Sequence, residues 1–143
     1  MNVIFYSSTI DERTKEICKR LANSSHNIEL ELHHSKSSLE SRLRQPLHGI
    51  ALMLLYLSEK SDLADMIAIQ ELIIGLPVII IMRDTEGETM TKALLLRPRF
   101  IFRADDNLED MCLVFEKMLA RQISYEQQQW KIDALEGGKI WQK

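Results

Sequence analysis

The chain has 143 residues, 45% hydrophobic and 27% charged, with 21 acidic against 18 basic side chains and a net charge of −3. This is the balance of one globular domain with room for a core, and it disfavours a nucleic-acid binder, which is ordinarily basic. The cysteines are Cys18 and Cys112, too few and wrongly spaced for a disulfide scaffold or a zinc site, and they read as reduced core thiols.

The elements alternate strand and helix. Residues 3–6 form a short apolar strand, and Thr9-Ile10-Asp11-Glu12 then matches a capping box opening a helix. Ile10, Thr14, Ile17, Cys18 and Leu21 follow at helical spacing as one apolar stripe, which ends at Asn23. Residues 28–32 alternate strictly, as a half-exposed edge strand does. Ser37-Ser38-Leu39-Glu40 is a second capping box, and the weak helix it opens stops before Pro46.

The run IALMLLYLS, residues 50–58, carries no charge. So short and apolar a run is a central strand buried on both faces of a parallel sheet. Ser58 or Ser61 is placed to cap the next helix, with Asp62 favourable in its first turn. That helix is apolar nearly all round (Leu63, Met66, Ile67, Ile69, Leu72, Ile73) and is expected to pack on two sides before Gly75 ends it. Residues 78–82 form a fourth strand. Thr85-Glu86-Gly87-Glu88 caps a helix reaching Leu96, and Pro98 precedes a fifth strand at 100–102. Asn107 caps a last helix whose stripe is Leu108, Met111, Cys112, Phe115, Met118 and Leu119.

Strands joined by helical crossovers make a parallel sheet with right-handed connections. The expected fold is a flavodoxin-like, doubly wound, five-stranded sheet of order 2-1-3-4-5 in a three-layer α/β/α domain, residues 1–121. Residues 122–143 read as an extension of the last helix and a tail carrying Trp130. No apolar stretch spans a membrane and MNVIFYSST lacks a signal peptide's basic flank, so a cytoplasmic protein is expected.

In such sheets, ligands sit beyond the carboxyl ends of the strands. The chain resembles response-regulator receiver domains there: IALMLLYLS, GLPVIIIM and FIFRADD stand where that family has its third, fourth and fifth strands. The resemblance places the family's acidic pair at Ser7-Ser8, its phosphorylated Asp at Tyr56 (or Leu55), its Thr/Ser at Met82 and its Lys at Arg103. It therefore implies a degenerate receiver without the residues of phosphotransfer, not an enzyme and with no cofactor. It also implies a signalling, adaptor or dimerisation module binding a protein partner or a second copy. The face implied is the fourth helix, fifth strand, fifth helix and tail, with Leu94, Leu95, Arg97, Phe102, Phe115, Met118 and Trp130 as candidates.

The alternative is a small-molecule or anion-binding protein using Ser7, Ser8, Tyr56, Arg83 and Arg103 at the strand ends. Guanidinium groups bind oxyanions in bidentate fashion. Against it, Arg83, Arg97, Arg99 and Arg103 are expected to pair with Asp84, Glu86, Asp105 and Asp106. The loop YSSTIDERT is Ser/Thr-rich like the phosphate loop of flavodoxins, but it lacks the glycine that lets backbone wrap a phosphate. His26, His33, His34 and His48 show no metal-ligand spacing and read as exposed loop residues.

Overall fold

The computed structural model describes residues 1–122. The expected tail and Trp130 lie outside the described residues. Strands β1 (Asn2–Ser7), β2 (Glu29–His33), β3 (Ile50–Leu57), β4 (Val78–Met82) and β5 (Phe100–Arg103) form one sheet. All pairs are parallel and the order is β2-β1-β3-β4-β5, the flavodoxin-like arrangement. The helices are α1 (Glu12–Ala22), α2 (Lys36–Leu43), α3 (Lys60–Ala68), α4 (Gln70–Ile73), α5 (Gly87–Ala93) and α6 (108–122), with a 3-10 turn at Leu94–Leu96. Among the described residues, no helix is long and apolar enough to cross a membrane.

The sheet separates two apolar layers. Ile4, Tyr6, Leu55, Leu57, Ile80 and Met82 pack against α2, α3, α4 and α5. Val3, Phe5, Leu54, Tyr56 and Ile81 pack against Ile17 and Leu21 of α1 and Met111, Phe115 and Leu119 of α6. Every residue of β3 is buried, because alternate side chains feed both layers. Full burial of one such Leu contributes about 1.5–3 kcal/mol, so this strand anchors the domain.

Several local details differ from the sequence expectations. The cap of α1 is Asp11, which accepts from Thr14 N, while the Thr9 hydroxyl bonds that of Ser58. Ile10 leaves the stripe and is 67% exposed. The cap of α2 is Ser35, that of α3 is Glu59, and Glu86 precedes α5. The single long helix after β3 is two short ones broken at Ile69, whose φ of −116° and ψ of 24° leave the helical region. The break re-aims the chain so that Leu63, Met66, Ile69 and Ile73 all reach one core, with Ile67 and Leu72 half-buried beside it. His33 is a half-buried strand residue rather than a loop residue, bonded through Nδ1 to Ser38 Oγ at 2.7 Å.

Two candidate interface residues are corrected outright. Phe115 is 2% exposed and Met118 is 8% exposed, both inside the α1/α6 layer. Phe102 is half-buried and packs edge-on against Phe115 with ring centres 6.5 Å apart. Leu94 and Leu95 are 60% and 53% exposed. We expect Phe115→Ala to cost about 3–5 kcal/mol and Leu94→Ala no more than about 0.5 kcal/mol in urea unfolding. Equal losses would contradict this division of core from surface.

Candidate functional site

The sheet register sets the carboxyl-end residues in two rows. Ser7 pairs with Tyr56, Tyr56 with Ile81, and Ile81 with Phe102. One step further, Leu57 pairs with Met82, and Met82 with Arg103. Leu57 and Met82 are buried, so the α3/α5 side of the strand ends is apolar.

Two carboxylates that the sequence reading treated only as helix-start residues occupy this mouth. Asp62, 5% exposed in the first turn of α3, accepts from the Ser8 hydroxyl at 2.7 Å on Oδ1. Its Oδ2 accepts from Ser58 N at 3.0 Å and Glu59 N at 3.1 Å. With the Thr9–Ser58 hydroxyl contact at 2.8 Å, these bonds tie the β1–α1 loop to the β3–α3 turn. Asp11 does the same on the other side of the sheet. Its Oδ1 caps Thr14 N at 2.9 Å, while Oδ2 accepts from the Tyr56 phenol at 3.0 Å and lies 3.6 Å from Arg83 Nη1.

The five strand-end candidates are therefore not brought together. Ser7 is buried and its hydroxyl donates to Thr9 O at 2.6 Å. Ser8 faces Asp62. Tyr56 and Arg83 do share a cleft of about 460 Å³, with Asp11, Arg13 and Asp105 on its walls. Arg103 stands apart, 61% exposed and 3.7 Å from Asp105. Among the described residues, only this last of the expected arginine pairs forms: Arg83 turns to Asp11, and Arg97 and Arg99 have no carboxylate partner there.

Electrostatics follow these contacts. Burial pushes the Tyr56 phenol up to about 12, reinforced by its hydrogen bond to Asp11 and that group's charge. Burial alone also pushes Asp11 upward, but the bonds from Thr14 and Tyr56 and the Arg83 charge outweigh it and hold the carboxyl below its usual value. Burial likewise lifts the Tyr6 phenol to about 12, with the Asp62 and Asp65 charges adding to it. A phenol held neutral is a hydrogen-bond donor to a carboxylate, not a base or a nucleophile at neutral pH. Among the described residues, no group of three or more His, Cys, Asp or Glu could hold a metal ion.

Asp11 yields a signed pH dependence. Its folded-state pKa is lowered, so it contributes stability above its unfolded value of about 3.9, lost as pH falls through the folded value. We expect urea-unfolding stability to decline in that acid window more steeply in the wild type than in Asp11→Asn. Parallel pH profiles would show that the Thr14, Tyr56 and Arg83 contacts do not hold the charged form.

No protein-family model matches the chain, and no curated protein matches it. Solved structures do. A signal receiver domain of two-component signal transduction from Clostridium thermocellum superposes with a TM-score of 0.66 at 16% identity, over 82% of this chain and 96% of that one. The N-terminal domain of a response regulator/sensory box/GGDEF protein from Carboxydothermus hydrogenoformans gives 0.63 at 14%, over 87% and 98%. A response regulator receiver protein from Pseudoalteromonas atlantica gives 0.59 at 13%, over 88% and 99%. The chain has the fold of receiver domains.

Proposed function

We propose that this chain is a signalling module with a receiver fold that works without phosphorylation, through contact with a protein partner. The observation that carries the reading is the state of the mouth. All four carboxylate oxygens of Asp11 and Asp62 already accept hydrogen bonds from the chain's own groups. A receiver's hard dication takes oxygen ligands and prefers carboxylates. At the positions the resemblance assigns to that role, Ser7 and Ser8 donate their hydroxyls to Thr9 O and Asp62. These residues do not fit Mg²⁺, and the position of the acceptor carboxylate holds Tyr56, which donates to Asp11.

Contact would then fall on the flank made by α5, its 3-10 turn, β5 and α6. Leu94, Leu95 and Phe100 are exposed there, and Arg97 is exposed beside them with φ of 52°. Leu94 and Leu95 adjoin in sequence, and neighbouring exposed apolar side chains of this kind support an interaction surface. The anion-binding alternative at the mouth is not favoured, since Tyr56 and Arg83 already face Asp11.

The test is treatment of the intact chain with acetyl phosphate and Mg²⁺, read by intact mass. No covalent phosphate is expected, and its appearance would end this reading. A photo-crosslinking residue at Leu94 is then expected to capture a cellular protein that the same residue at Ser41, exposed on α2, does not. Equal capture at both positions would contradict the assigned flank.

A further inference from the structure

A cleft at the opposite end of the sheet carries a different chemistry. The chain has nine arginines. Six of them pair with a carboxylate: Arg13, Arg20, Arg42, Arg44, Arg83 and Arg103. Among the described residues, the guanidinium groups of Arg97, Arg99 and Arg121 have no such partner. Acids outnumber bases in this chain, so partners were not scarce.

Two of the three unpaired groups, Arg99 and Arg121, line one cleft of about 420 Å³. Arg99 is set there by its backbone N–H, which donates to Val78 O at 2.8 Å at the start of β4. Arg121 comes from α6. Between them lie Ala51, Pro77 and Met118, with Gly75 at the rim. Ala51 and Met118 are buried, so this part of the cleft floor is firmly packed, and Gln122 also lines the cleft. A basic residue beside an edge strand, as Arg99 is beside β5, has a structural explanation, since it discourages edge-to-edge pairing. That accounts for Arg99 and leaves Arg121, which lies on a helix, unexplained.

We propose that Arg99 and Arg121 form a binding site for a small organic anion, a carboxylate or phosphate group on a short apolar stem. The two guanidiniums take the head group through charge-assisted hydrogen bonds. The stem lies on Ala51, Pro77 and Met118. The cleft volume falls in the range of small-molecule pockets, about 300–1,000 Å³. This site is independent of the strand-end mouth and borders the partner flank proposed above, at the other end of β5 and α6.

The test is amide NMR of the full chain titrated with hexanoate, hexyl phosphate and hexylammonium. Both anions are expected to shift the signals of Ala51, Gly75 and Arg99 with about millimolar affinity, the tighter one identifying the head group, while hexylammonium leaves them in place. The double variant Arg99→Gln/Arg121→Gln is expected to weaken anion binding about tenfold or more. Both side chains are exposed, so the variant keeps its fold, which unchanged shifts elsewhere will show. No response to either anion, an equal response to hexylammonium, or undiminished binding by the variant would overturn the proposal.

Discussion

The Asp62 carboxylate is the contact on which the upper end of this molecule depends. It is buried at the start of α3, and it holds three donors from two loops, the Ser8 hydroxyl and the Ser58 and Glu59 amides. A buried carboxylate is costly unless its lone pairs are satisfied. Here the satisfaction comes from the two segments that flank the crevice beside β1 and β3. The two segments are thereby tied by the chain's own hydrogen bonds, and on the other layer Asp11 ties the start of α1 to β3 through Thr14 and Tyr56.

The strand-end mouth of this receiver fold is thus occupied by the chain's own hydrogen bonds. The sheet itself is held chiefly by burial of β3 on both faces. At the tips, the side chains that remain are structural: Leu57 and Met82 fill the apolar layer, and Tyr56 braces the cap of α1. On the flank, the 3-10 turn leaves Leu94 and Leu95 outside the core while Leu96 is buried in it.

Much of the fold was legible in the sequence, and for physical reasons. A strand buried on both faces must be apolar throughout, so residues 50–57 announced the sheet centre, and the alternation at residues 28–32 announced an edge. Gly75 was readable as a helix stop because its φ of +97° suits glycine, and Asn107 as a cap because its side chain accepts from Asp110 N. The other helix starts were misread by a few residues. Thr9 and Asp11 are both fit to cap, and the choice between them is made by Ser58 and Tyr56, which are more than 40 positions away in sequence.

The candidate site was less legible for the same reason. Asp62 looks in sequence like any acid favouring a helix start, and nothing local reveals that Ser8 and the preceding turn converge on it. Phe115 and Met118 sit on an apolar stripe that a helix could turn either way, and packing turned it inward. The Ser8–Asp62 tie is measured most directly by a double-mutant cycle in urea unfolding with Ser8→Ala and Asp62→Ala. A coupling of about 1–3 kcal/mol is predicted for a buried, charge-assisted bond. Additivity within about 0.3 kcal/mol would show that the mouth is not held shut by this carboxylate.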